Sequence, residues 1–235
     1  MSATKIIKNH LPHNSLSRKL WDKDMKMKKD ARDHLMLIAD AFIEYIGINL
    51  DVLDITITGS YANYNYTPYS DIDLHIIVDY DDLTKVENLA KEFFHAKKSF
   101  WNERHDIKFK GIEVELYAQN NDEPHSSSGV YSIDQNEWLV KPKKFKTEVD
   151  IDSVMQKYKK IKLEVDESIR DAKKKDTEAP LDRILKKIRK MRQSGLEKSG
   201  ELSDENLVYK VLRSSGDLQK LFDLKYKIFD DTLTF

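Results

Sequence analysis

The chain reads as an α+β protein, with strands confined to its first 145 residues and helices alone after about residue 150. Three observations predict this. Leu53, Ile55 and Ile57 alternate with polar neighbours, the period of a strand with one buried face. Asp71 to Val78 and Ile112 to Ala118 are two further short runs of strand-forming composition. From Ile151 onward no further strand pattern appears, and the chain reads as helices.

Taken in order, residues 1–15 show no clear period and are expected to be irregular. Leu16 to Ile46 reads as helix, with Ala31, Leu35, Ile38, Phe42 and Ile46 on one face and Gly47 as a natural stop. The strand from Leu53 to Thr58 ends in Gly59-Ser60. A short helix over Ser60 to Asn65 and a turn at Thr67-Pro68 lead to the Asp71 to Val78 strand. Val86, Leu89, Phe93, Ala96 and Phe100 set the apolar stripe of a helix over about 82–104. Ile107 to Phe109 and Ile112 to Ala118 are strand, bent at Gly111, and residues 120–129 are a polar loop. Val130 to Ile133 and Trp138 to Val140 are expected to pair as a hairpin across Asp134-Gln135-Asn136. Helices follow near 151–175, 181–197, 204–214 and 217–230. Pro180 starts the second of these, Gly195 or Gly200 closes it, and Ser203 caps the third ahead of Asp204 and Glu205.

Composition bounds the partners. At 235 residues the chain suits one large domain or two small ones, and 40 basic against 41 acidic residues give no bulk attraction to nucleic acid or membrane. With no cysteine there is neither a disulfide partner nor a thiolate metal site. Met1 to Leu20 carries no apolar stretch suited to a signal peptide, and no run long enough to span a bilayer occurs, so the expectation is a soluble, cytoplasmic protein without a membrane partner.

The most informative stretch is Gly59-Ser60 followed by Ser70-Asp71-Ile72-Asp73-Leu74. Asp71 and Asp73 lie two apart on a predicted strand, so both carboxylates leave the same face, while Ile72, Leu74 and Ile76 face the core. Two such charges about 4 Å apart repel by about 4 kcal/mol at an effective dielectric near 20, so the pair calls for a cation. Oxygen-only ligands on a rigid strand suit Mg²⁺, which completes its octahedron with water and substrate phosphates. The pattern points to phosphoryl or nucleotidyl transfer.

The ordered segments resemble those of the DNA polymerase β-like nucleotidyltransferase superfamily: a Gly-Ser turn, an apolar-flanked Asp-x-Asp, and a third acid within Gly111-Ile-Glu-Val-Glu-Leu-Tyr117. The resemblance covers roughly residues 50–120. It implies a small mixed β-sheet catalytic core, which with the N-terminal helix is expected over residues 1–145, and the helical pattern that follows sets a helical domain over 146–235. The resemblance also implies Mg²⁺ or Mn²⁺ held by Asp71, Asp73 and a third carboxylate. A nucleoside triphosphate such as ATP would be the substrate, and Gly59 and Ser60 would meet its phosphates. Glu113 and Glu115 share one strand face and both fit the third-acid pattern. Val114-Glu115-Leu116-Tyr117 matches better, so Glu115 is favoured as the catalytic and metal-binding member. Asn63 stands where several relatives carry Arg, which puts in doubt a phosphate contact there. Gly111 to Gln119 and Gly129 to Leu139 further resemble phage-encoded nucleotidyltransferases, whose acceptor is not known.

Other residues carry weaker signals. His75 shares the Asp71–Asp73 face, and a hydrogen-bonded structural role is the simpler reading. Arg183, Lys186, Lys187, Arg189, Lys190 and Arg192 surround a Leu181-Ile184-Leu185-Ile188 stripe, the pattern of a solvated helix face or of an edge for RNA. Lys210 and Arg213 are candidate triphosphate contacts. Tyr61, Tyr64, Tyr66 and Tyr69 either stack on a base or pack. The expected activity is transfer of NMP to an acceptor hydroxyl on RNA, protein or a small molecule, with release of pyrophosphate. The rivals are a cyclic or oligonucleotide synthase and a silent antitoxin-like binding protein that keeps the fold. Arg170, Arg183 and Arg189 start no Arg-x4-His motif, which argues against a self-contained helical ribonuclease.

Overall fold

A computed structural model describes residues 2–124, 127–144 and 148–234. They form two compact units, Pro12–Phe145 and the pairing of Met1–Leu11 with Lys146–Phe235. The expected boundary between 145 and 146 lies outside the described residues, as do positions 125 and 126 of the polar loop.

The Pro12–Phe145 unit is built on a six-stranded sheet. Its elements are α2 (Lys29–Ile46), β1 (Val52–Thr58), β2 (Ile72–Val78), α3 (Glu87–Arg104), β3 (Lys108–Phe109), β4 (Ile112–Asn120), β5 (Val130–Ser132) and β6 (Glu137–Val140). The strand order is β3-β4-β2-β1-β5-β6. β2 and β4 run parallel, joined by the α3 crossover, while every other pair is antiparallel. The sheet is therefore mixed. The apolar side chains of β2 sit in one core with α2: Ile72, Leu74, Ile76, Leu35 and Phe42 are all fully buried. The β5–β6 hairpin forms as its sequence predicts, with Asn136 in its turn at φ 57°.

Two helical expectations change. Helix α2 begins at Lys29 rather than near Leu16. Before it, the Asp22 carboxylate accepts the backbone N–H of Asp24 and of Lys26, Met25 takes φ 63°, and Trp21 bridges to Met27. Local side-chain bonds win over helix here because they let Leu20 and Trp21 bury completely. On α3 the buried residues are Ala90, Phe94 and Trp101, whereas Val86, Leu89 and Phe100 are exposed. Phe93-Phe94 and Phe100-Trp101 are adjacent pairs, so the sequence supports two apolar stripes one residue apart. Packing selects the second: Phe94 stacks on Tyr80, and Trp101 meets Phe42 and Tyr45.

The other unit is helical: α4 (Ile151–Lys175), α5 (Ala179–Ser199), α6 (Asp204–Ser214) and α7 (Asp217–Leu233). Leu181, Ile184, Ile188, Leu207, Val208, Val211 and Leu221 share its core. Ser203 caps α6 by accepting the Asn206 N–H. Gly200, at φ 72°, closes α5. Gly195 is a point of close approach instead, since a Cβ there would lie 2.7 Å from Glu205 Cβ. The N-terminus is not irregular as expected. Ala3–Asn9 is helix α1, and its buried Ile6 and Ile7 pack in this helical core. About two turns of helix show no clear period, and tertiary packing supplies the stability that so short a helix lacks.

Candidate functional site

The site forms where β1, β2 and β4 lie side by side. β1 ends at Thr58, and Gly59 then takes φ 65° to start a single 3-10 turn, Ser60–Ala62, in place of the longer helix expected over 60–65. The chain passes so close to β2 that a Cβ on Gly59 would lie 1.7 Å from Asp73 Oδ2. Only glycine lets the backbone press against that carboxylate. Asn63 fixes the turn: its Nδ2 donates to Gly59 O at 2.6 Å and to Ser127 Oγ at 3.1 Å, and its Oδ1 accepts from Ser128 at 2.7 Å. Gly129 completes the clamp, since a Cβ there would fall 2.1 Å from Ala62 O. Asn63 therefore acts as a buried strut between two loops.

Asp71 directly precedes β2, and Asp73 lies within it, flanked by fully buried Ile72 and Leu74. The parallel register sets Asp73 opposite Glu115. Glu113 pairs across the other edge with Lys108, its side chain 61% exposed and 3.7 Å from the Lys108 ammonium. The ambiguity between the two glutamates is thus a matter of register: Glu115 faces Asp73, and Glu113 faces the sheet's end. Burial, with the Glu115 and Asp71 charges beside it, pushes the Asp73 carboxyl up to about 6.

Tyr117 follows Glu115 on the same strand face and donates its hydroxyl to Glu115 Oε2. Its ring stacks on His75 at 4.8 Å, and the Lys98 ammonium stands 3.6 Å from its centroid. His75 joins an alternating chain: Thr58 Oγ1 at 3.0 Å, Gln119 Oε1 at 2.7 Å, and from Gln119 Nε2 to Glu123 O at 3.2 Å. That is the structural role expected of it. A cleft of about 340 Å³ opens beside Glu115, lined also by Asn102, His105, Asp106 and Glu113.

Among the described residues no group of three or more His, Cys, Asp or Glu is drawn together at metal-binding spacing. The donors present nevertheless fit an oxygen-seeking divalent ion. Burial, and after it the Glu115 and Asp71 charges, raise the Asp73 carboxyl, and Mg²⁺ needs only one or two carboxylates when phosphates and waters complete its shell.

Tyr61 and Tyr64 are buried, Tyr66 stacks on His13 at 4.0 Å, and Tyr69 is 48% exposed. Lys210 and Arg213 are on α6 of the helical unit, where Lys210 pairs with Glu201 at 2.8 Å. In the α5 basic run, Lys187 pairs with Glu164 at 2.5 Å, and Arg192 lies 4.2 Å over the Tyr209 ring. Sequence reasoning passed over Lys98, Tyr117 and Asn102. Strand parity could have found Tyr117, two residues past Glu115; nothing distinguishes Lys98 from the chain's other cations.

A family model described as Nucleotidyltransferase domain matches residues 36–189. The chain therefore belongs to the nucleotidyltransferase domain family, within the polymerase β-like class that the Gly-Ser and Asp-x-Asp segments resemble. NMP transfer is the general chemistry of that class. No curated protein matches the chain. A solved structure, the STING-associated CdnE c-di-GMP synthase from Capnocytophaga granulosa, is 15% identical over 87% of this chain and 84% of that one, at a TM-score of 0.25. So low a score carries no argument about this chain's substrate.

Proposed function

We propose that this protein is a divalent-metal-dependent nucleotidyltransferase that moves NMP from a nucleoside triphosphate to an acceptor hydroxyl. The observation that most supports it is the Asp73–Glu115 register beside Gly59, whose backbone lies against the Asp73 carboxylate. Asp71 and Asp73 would hold Mg²⁺ or Mn²⁺, with Glu115 as the third ligand or as acceptor of the hydroxyl proton. When bound, the ion supplies neutralisation of triphosphate charge and a lowered acceptor pKa. Gly59 and Ser60 present backbone N–H groups and a hydroxyl to the phosphates. Lys210 and Arg213 are assigned to the triphosphate as well. The cleft beside Glu115 gives the acceptor room.

In the reaction the acceptor oxygen bonds to Pα as the bond from Pα to the bridging oxygen breaks, and that electron pair leaves with pyrophosphate. The acceptor proton passes to a carboxylate, Glu115 being the one that lies both opposite Asp73 and at the cleft. Incubation with each α-labelled NTP, Mg²⁺, and RNA, protein and metabolite fractions tests the reading; the labelled fraction identifies the acceptor class. Asp71→Asn and Asp73→Asn should each lower transfer by roughly a hundredfold or more with the fold intact. Single-turnover transfer that survives both changes would remove the metal-site assignment.

A further inference from the structure

A cation stands near the Asp73–Glu115 pair, reaching it across the Tyr117 ring. Asn102 on α3 mimics a neighbouring strand at the edge of β4: its Nδ2 donates to Leu116 O at 3.3 Å, and its Oδ1 accepts the Leu116 N–H at 3.2 Å. This ties α3 to β4 between Glu115 and Tyr117. Lys98 lies one turn earlier on α3, on the same helix face as Asn102. From there its half-buried ammonium reaches the face of the Tyr117 ring, 3.6 Å from the centroid. Tyr117 in turn donates its hydroxyl to Glu115. Lys98 interacts electrostatically with both Glu115 and Asp73. Packing alone does not require a charge in that place. A cation over a tyrosine ring is a modest attraction, and drawing an ammonium from water opposes it.

We infer that Lys98 is a positioning residue that serves as the resident counter-cation of the Asp73–Glu115 pair, so that metal enters the site together with nucleotide rather than alone. The inference rests on the metal-site reading above. Its basis is Coulomb's law applied twice. A fixed positive charge beside the carboxylates holds them together in the free protein, and it repels an incoming divalent ion. A metal–triphosphate complex carries net negative charge, so the same ammonium attracts it. Tyr117 is the spacer: its ring seats the ammonium while its hydroxyl holds Glu115 beside Asp73.

The test measures Mn²⁺ binding to the full chain by the loss of the free-ion EPR signal, without nucleotide and with an α,β-methylene ATP analogue. Lys98→Met should tighten nucleotide-free Mn²⁺ binding by about tenfold or more. It should also weaken Mn²⁺-dependent binding of the analogue, and Lys98→Arg should behave as the parent protein in both. If the parent binds no detectable Mn²⁺ alone, Lys98→Met should gain binding. Unchanged or weaker nucleotide-free affinity in Lys98→Met overturns the inference. Should that variant lose its cooperative melt, Lys98→Gln is read in the same way. Asp73→Asn separates the two ideas. If it abolishes Mn²⁺ binding while Lys98→Met changes nothing, only the role of Lys98 fails; if it leaves Mn²⁺ binding intact, the metal-site reading fails and this inference with it.

Discussion

At the scale of single residues, the site turns on which carboxylate stands where. Two residues along a strand shift a side chain by roughly 6.6 Å, and a metal ligand must come within about 2.1 Å. Glu113 and Glu115 therefore cannot exchange roles without a change of register. Glu115→Gln should abolish metal-dependent transfer while Glu113→Gln keeps most of it, measured as single-turnover incorporation of label; the reverse pattern would give the role to Glu113. Asp73 supplies a second expectation. Its carboxyl is raised to about 6 in the fold, against an ordinary value of 3.8. The folded state thus binds the extra proton between those values, and stability falls as pH rises through that window. Asp73→Asn should melt higher than the parent at pH 8 without metal, by at most about 3 kcal/mol. The gap should close as pH approaches 4, and a gap independent of pH would show that the burial cost is not electrostatic. Gly59→Ala combines strained φ with collision against Asp73, so it should lose both transfer and about 1–3 kcal/mol of stability in denaturant titration.

Elements explain why these residues meet. β2, α3 and β4 form a parallel crossover unit, and Asn102 of α3 caps the edge of β4 at Leu116. Asn102→Ala leaves the Leu116 N–H and C=O without that partner, at a cost of about 1–3 kcal/mol. Because the same contact holds α3 beside the site, the change should also reduce transfer. The two stripes of α3 give an internal contrast: Phe94→Ala should cost about 3–5 kcal/mol, while Leu89→Ser should cost little. Chemical denaturation of both variants checks which stripe is buried.

At the scale of the whole molecule, the chain returns on itself: its first eleven residues belong with its last ninety rather than with the sheet that follows them. His10 ends α1, is 4% exposed, and has no hydrogen-bond partner at either ring nitrogen. Burial, then the charges of Lys210 and Arg213, lower its pKa to about 4 from 6.5. The unfolded chain binds the extra proton between those values, so the neutral imidazole's contribution is fully present above pH 6.5 and is lost as pH falls toward 4. The change amounts to at most about 3 kcal/mol. His10→Leu should flatten that part of the pH–stability curve, followed by helical circular dichroism, and also remove an unsatisfied buried polar group. A curve of unchanged slope would locate the acid sensitivity elsewhere.

The sequence by itself determined the features that depend on local chemistry. Alternation marked β1, β2 and β4; Ser203 marked a helix start, with Gly195 or Gly200 as the end of the helix before it; Gly59-Ser60 with Asp71-Ile72-Asp73 marked a turn beside two carboxylates on one face. Each signal lies within a few residues, where backbone sterics and side-chain parity suffice. The tertiary structure decided what depends on partners distant in the chain. The β2–β4 register set Glu115 opposite Asp73, because two acids of equal parity are indistinguishable until a neighbouring strand fixes which one lies there. Packing against Phe42, Tyr45 and Tyr80 chose the α3 stripe, because adjacent aromatic pairs satisfy two helical faces equally. Trp21 and the Asp22 turn delayed α2, and the helical core recruited α1, since burial free energy outweighs propensity in segments that short. Lys98 acquired its place over Tyr117 through the packing of α3 against β4: a lysine's meaning is set by the charges it ends up near, and no pattern along the chain encodes them.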